Sequence, residues 1–192
     1  QLDLTWKARL EEHLGSFQVE LIRSRTAYVI NNRLLLAGML SSASLINKFF
    51  PNGQVYTEFY QSSEKLFDLL QFPDIWALGY FKWELEFMET LGFGLDLKKC
   101  AVTGSTEDLK FISPKSGCAV SQAAAGEWSS KLLPFPVAES GQVNSFNDIL
   151  DGLKVTQFFL EKKVLAAFGM NTLPKARSRF ISSLESKIKN GT

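Results

Sequence analysis

Histidine is nearly missing from this chain: His13 is the only one in 192 residues. Cysteine is almost as scarce, with Cys100 and Cys118 alone. One imidazole cannot build a two-histidine metal site or acid–base pair. A Cys–His dyad would need His13, which sits in a turn, to fold back onto Cys100 or Cys118. Two thiols cannot staple a domain of this size, and so small a number fits a reducing compartment. Net charge is also missing, at +1, so no global basic field advertises nucleic-acid binding. No apolar run reaches the roughly 18–20 residues of a membrane span, and no signal peptide is visible. The Gly-x-Gly-x-x-Gly sequence, the Walker-type loop and the Gly-x-Ser-x-Gly elbow are absent, as are internal repeats and low-complexity tracts. Catalysis is disfavoured on this inventory, and a small hydrolase is the remotest reading.

Hydrophobic residues make up 45% of the chain, ample for a packed core. The length allows one domain, or one and a fraction. Residues 74–100 read as its centre. At 100° per residue, Trp76, Tyr80, Trp83, Phe87 and Leu91 fall on one face and Leu78, Phe81, Leu85 and Met88 on the other. Only Gly79, Lys82, Glu86, Glu89 and Thr90 are left for water. A helix so apolar all round should be buried, with Asp74 as its cap and Gly92 and Gly94 as its stop. Glu84 lies between the apolar arcs and needs a partner or a wet pocket.

Around this helix, residues 2–10 and 17–23 alternate with a period of two and predict an antiparallel hairpin, with Trp6 on its apolar face and so in a core rather than serving as a stacking platform. Helical patterns run over 26–50, with Ile30, Leu34, Leu36, Met39, Leu40 and Leu45 among the apolar positions, and over 55–71, with Val55, Phe59, Leu66, Leu69 and Leu70 inward; Pro51-Asn52-Gly53 lies between them. Residues 95–137 lose that period and predict two short strands or extended pieces around Ser113–Gly117, a helical turn at 123–126 and an extended apolar segment at 132–136. A helix capped by Asn144 or Ser145 runs to Gly169. A last helix starts with Thr172 as cap and Pro174 in its first turn, and Arg177 stands at the rim of its inner side.

The run Phe81, Glu84, Leu85, then Leu91-Gly92-Phe93-Gly94-x-Asp96-Leu97-x-x-Cys100, followed by Val102-Thr103-Gly104 and Phe111-Ile112-Ser113-Pro114-Lys115-Ser116-Gly117, resembles the helical domain of the bacterial RecO recombination mediators. The likeness covers most of the chain and is most specific over residues 81–121. It implies a mainly α protein. Residues 1–25 would be the last hairpin of an oligonucleotide-binding (OB) barrel whose earlier part is missing, since the chain opens at Gln1 inside a strand without an initiator Met. Residues 26–192 would be the helical bundle, with 95–137 a degenerate zinc-finger-like insertion. Zinc-bearing members carry two Cys-x-x-Cys pairs in that insertion. Here those positions read Cys100 and Thr103, then Ser121 and Ala124, so one thiolate in four is left and a zinc-free form with no cofactor is expected.

The resemblance further implies a non-enzymatic DNA-binding mediator of recombinational repair, cytoplasmic and nucleoid-associated. It would act with RecR and RecF to remodel single-stranded DNA-binding protein on single strands, anneal strands and aid recombinase loading. Single- and double-stranded DNA would meet Lys7, Arg9, Arg23 and Arg25, for which a solvated charged face is the plainer alternative. The acidic, aromatic C-terminal tail of single-stranded DNA-binding protein wants an apolar pocket rimmed by cations. Lys82, or Arg177 with Arg179, could supply the rim, and Phe158, Phe159 and Phe168 the lining, although ordinary core is the competing assignment for those rings. A non-catalytic interaction module that has lost DNA contact is the second functional reading.

Overall fold

The computed structural model describes residues 1–10, 13–139 and 145–190. The chain starts with the expected hairpin, β1 (Leu2–Lys7) and β2 (Ser16–Leu21), paired antiparallel with Leu2 opposite Leu21, Leu4 opposite Val19 and Trp6 opposite Phe17. Alternation puts these six apolar side chains on one face, yet both faces are open to solvent. Trp6, expected in a core, is 47% exposed and touches Phe17 at 4.8 Å between ring centroids. The reason is that no third strand pairs with this hairpin among the described residues. They show a hairpin and not a barrel.

The helix expected over 26–50 is two, α1 (Thr26–Val29) and α2 (Arg33–Phe49). Asn32 breaks it: the backbone there is extended and its Oδ1 accepts the Leu35 N–H at 3.1 Å, a competition that asparagine wins at helix starts. Ile30, an apolar position of that pattern, is therefore exposed beyond the end of α1. Helix α3 (Thr57–Asp68) continues as a 3₁₀ turn over Leu69–Gln71. It begins after Val55, which is consequently exposed rather than inward.

Helix α4 (Pro73–Thr90) is the buried rod the pattern predicts: Trp76, Tyr80, Phe81, Trp83, Phe87 and Met88 are almost wholly inaccessible. Phe72, not Asp74, occupies the cap position; Pro73 opens the helix and Asp74 sits in its first turn, where its charge favours the helix dipole. Gly92, at φ 84°, ends it, and the Phe93 N–H closes the turn onto the Met88 carbonyl at 2.8 Å.

The insertion holds β3 (Leu109–Ile112), β4 (Ala119–Ser121), the single turn α5 (Gln122–Ala125) and β5 (Leu133–Pro134), in sheet order β4-β3-β5. The extended 132–136 segment thus tucks in as an edge strand, with Leu133 and Phe135 against the main core. Helix α6 (Phe146–Phe159) begins at Ser145 with a reciprocal capping box to Asp148; Asn144, the other candidate cap, lies outside the described residues. A π-helical turn over Leu160–Val164 leads into α7 (Leu165–Ala167). The last helix, α8 (Lys175–Asn190), starts just after Pro174, not after Thr172.

The Thr172 carbonyl accepts a hydrogen bond from Lys48 near the C-terminus of α2, while Gly38, one turn into α2, abuts Phe180. Helices α2 and α8 therefore run antiparallel. Two helical glycines let α4 sit this close to its neighbours. A Cβ on Gly38 would lie 2.1 Å from the Trp76 ring, and one on Gly152 would lie 2.8 Å from Phe81. Among the described residues, no helix is long and apolar enough to cross a membrane.

Candidate functional site

At the middle of the bundle, Glu84 has the partner its position demands. Arg177 Nε donates to Glu84 Oε2 at 2.7 Å and Arg177 Nη2 to Oε1 at 2.8 Å, with the two side chains 2% and 0% exposed. Nη2 also reaches the Leu153 carbonyl at 3.0 Å and Thr156 Oγ1 at 3.3 Å, and Nη1 reaches Gln157 Oε1 at 3.3 Å. Thr156 donates to Glu84, Tyr80 OH donates to Glu84 Oε2 at 3.2 Å, and Ser41 Oγ lies 2.7 Å from Tyr80 OH. Side chains of α2, α4, α6 and α8 are thus tied through one carboxylate, and no described buried side-chain polar atom lacks a partner. Burial opposes the Arg177 charge, but the charge and hydrogen bonds of Glu84 outweigh it and raise its pKa above the ordinary arginine value. Burial, then the nearby Glu84 charge, raises the Tyr80 phenol well above its ordinary value.

This geometry removes Arg177 from the partner-binding residues expected on sequence. It is interior and neutralised, so it cannot rim a surface pocket. Phe159 is likewise core, at 3% exposure; Phe158 is half-buried and packs edge-on against it at 5.3 Å. Phe168 is partly exposed and packs against Phe49. Lys82 is exposed as expected, but it and Lys98 share a cleft of about 500 Å³ with four carboxylates, Glu86, Glu89, Asp96 and Glu139. Burial raises the Glu139 pKa, and Lys82 partly counters that rise. A mainly acidic cleft is a poor receptor for an acidic tail. Arg179 remains exposed on α8.

The four candidate DNA-binding cations divide into two pairs. Arg23 and Arg25 converge on one acceptor, Asp68 Oδ1 at the end of α3, at 2.7 and 2.6 Å. Hydrogen bonds from Arg23 and Arg25 in turn hold the Asp68 carboxyl below its ordinary range. Sequence reasoning missed Asp68 because nothing local in the sequence announces a counter-ion more than forty positions away. Lys7 stays on the polar face of the hairpin, where it bonds Gln18 at 2.7 Å, but Asp3 and Glu20 lie on that same face. Arg9 is exposed beyond the end of β1.

The four positions matching the Cys-x-x-Cys pairs do come together. Cys100 Sγ accepts the Ser121 N–H at 3.3 Å and the Ser121 hydroxyl at 3.5 Å, and Thr103 also bonds it. Ser121 Oγ caps the Ala124 N–H, and Ala124 packs in the same small cluster as Cys100. One sulfur, two hydroxyls and a methyl do not fit a tetrahedral zinc ion. Burial pushes the Cys100 thiol up, but the hydrogen bonds of Ser121 and Thr103 more than offset it and bring the pKa down to about 6. Cys118 is a second free thiol. Among the described residues, no three His, Cys, Asp or Glu side chains gather as a metal site.

With this geometry in hand, comparison with known proteins is direct. Residues 31–169 match the family described as "Recombination protein O C terminal". The chain is 46% identical over 189 residues to the DNA repair protein RecO of Ruegeria sp. (strain TM1040), covering 98% of this chain and 78% of that protein. It is 44% identical over 191 residues to the DNA repair protein RecO of Jannaschia sp. (strain CCS1), covering 100% and 78%. The same named protein of Dinoroseobacter shibae is 44% identical over 184 residues, covering 96% and 76%. No solved structure matches the chain. The family match spans the α2–α7 bundle that houses Glu84, and the relatives extend the likeness through α8 and Arg177: the chain belongs to the RecO family of DNA repair proteins.

Proposed function

We propose that this protein is a non-enzymatic mediator of recombinational repair. It binds single- and double-stranded DNA, acts with RecR and RecF to remodel single-stranded DNA-binding protein on single strands, promotes annealing and aids recombinase loading, in the cytoplasm and at the nucleoid. The observation that carries this reading is RecO family membership over nearly the whole chain. The bundle suits a scaffold: the deeply buried Glu84–Arg177 ion pair is fully satisfied and locks helices together, leaving the surface to do the binding.

Lys7, Arg9, Arg23 and Arg25 contact phosphates in this reading. Arg23 and Arg25 are held on Asp68 and would exchange that carboxylate for a phosphate. Asp68 is also what supports the second reading, an interaction module without DNA binding, because it already neutralises two of the four cations. Titration with a fluorescent single-stranded oligonucleotide at two salt concentrations separates them. DNA binding requires an affinity that falls steeply with salt, since each phosphate contact releases counterions; an interaction module shows no binding at either concentration.

A further inference from the structure

Tyr56, Tyr60, Ser63 and Phe67 recur at helical spacing and form one stripe of α3, about 16 Å long, with Asp68 at its end. The stripe lines a cleft of about 530 Å³ that none of the assignments above uses. Phe50 lines it from the end of α2, Gln54 from the connecting turn, and Arg25 from the segment between the hairpin and α1. Most of its rings hold one another in place. Phe50 stacks on Phe59 at 4.9 Å and 18°, and Tyr56 meets Phe50 edge-on at 4.5 Å. Tyr60 differs: it is 56% exposed and packs on no other ring among the described residues.

An open aromatic face beside arginines is the combination that holds single-stranded nucleic acid: cations take the phosphates and the ring stacks a base of any identity. Both parts meet here. Arg25 lines the cleft, and Arg23 shares its Asp68 oxygen at the end of the α3 stripe. Arg23 spends only Nη1 on Asp68, so its remaining N–H groups are left for a phosphate while the Asp68 contact stands. Glu64 is the one carboxylate on the lining. It does not repel an uncharged base, and with the Gln54 amide it offers partners to a base's amino and carbonyl groups. An acidic peptide end, in contrast, would face Glu64 and find Arg25 already held. Paired bases in a duplex keep their faces inside the stack, so such a cleft selects single strands.

We propose that the α2–α3 cleft takes unstacked bases of a single strand, with Tyr60 as the stacking face and Arg23 and Arg25 on the adjoining phosphates. This rests on the reading that these arginines meet phosphates, and it extends DNA contact from the hairpin onto the helical bundle. The test uses the whole chain and fluorescence anisotropy with three fluorescein-labelled probes of equal length: a dT oligomer, an abasic oligomer with the same phosphates and no bases, and a duplex. Wild type binds dT at least about fivefold more tightly than the abasic strand, the effect of one stacked base. Tyr60→Leu removes most of that difference and leaves the abasic and duplex affinities unchanged. Tyr60→Phe, which keeps the ring, binds dT as wild type does. The Tyr60 side chain faces solvent, so thermal melts of both variants are expected to match wild type. Equal wild-type affinity for dT and the abasic strand overturns the proposal, as does a Tyr60→Leu loss shared by all three probes. A fluorescein-labelled Gly-Ser-Phe-Leu peptide that binds wild type and not Tyr60→Leu, with dT binding the same in both, assigns the cleft to a protein partner and also overturns it. If dT and the abasic strand bind alike but with steep salt dependence, the base cleft fails and the phosphate reading stands. If neither binds, both fail.

Discussion

Arg177 and Glu84, 93 positions apart in sequence, meet through two hydrogen bonds of 2.7 and 2.8 Å in a space that solvent does not reach. A buried charge pair contributes little net stability over an apolar pair of equal shape, but losing one partner strands the other. Replacing Arg177 with Met is therefore expected to cost about 3–5 kcal/mol by urea denaturation. Adding Glu84→Leu to it is expected to recover most of that loss. If the double variant is as unstable as the sum of the single ones, the pair is not coupled as described.

Gly152 and Gly38 face the Phe81 and Trp76 rings at distances no Cβ tolerates. Alanine at either position gains up to about 1 kcal/mol in helix propensity. Forcing a ring from a packed core costs about 1–3 kcal/mol. Both variants are expected to be destabilised, Gly38→Ala more than Gly152→Ala because its approach is closer. A rise in melting temperature for either would contradict the packing.

Cys100 gives a pH signature. Its thiol titrates near 6 in the folded chain, against an ordinary value of 9. The folded state thus favours the thiolate. The stabilisation is complete above pH 9 and is lost as the pH falls through about 6. Thermal stability followed across that window should rise with pH, and Cys100→Ser should flatten the rise. An identical slope in wild type and variant would sink this account of the thiol.

Asp68 restrains two of the candidate DNA contacts. Asp68→Asn releases Arg23 and Arg25 from a full charge and is expected to tighten single-strand binding several-fold at low salt. It should also steepen the salt dependence, by at most about 0.7 per added phosphate contact. Weaker or unchanged binding would mean that these arginines serve the hairpin–bundle contact and nothing else.

Much of the bundle was legible because its signals are local. The α4 rod showed itself as a helix apolar on nearly every side, and the Ser145 capping box and the strand–turn–strand of the insertion are written within a few residues each. The errors came where a short-range competitor or a distant partner decides the outcome. Asn32 broke a helix that periodicity extended, and Pro73 shifted the cap of α4 to Phe72. Trp6 was read as core from alternation alone, which marks which side a residue faces but not whether anything covers it. Periodicity puts Arg177 on the inner side of its helix, but only at the rim. A lone inward acid on one helix and a lone inward base on another were the available signal that the two should meet. The Asp68 counter-ion and the arrival of Arg25 at the α3 cleft depend on how elements pack across long sequence separations, and no motif encodes them.

The most direct test of a mediator that works by holding DNA is the slope of log affinity against log salt for a dT oligomer. It is measured on wild type and on a variant with Lys7, Arg9, Arg23 and Arg25 all changed to Ala. Four single-strand phosphate contacts account for about 3 units of that slope. The account expects steep salt dependence in wild type and a slope shallower by about that amount in the variant. Indistinguishable slopes, or no wild-type binding at low salt, would contradict it.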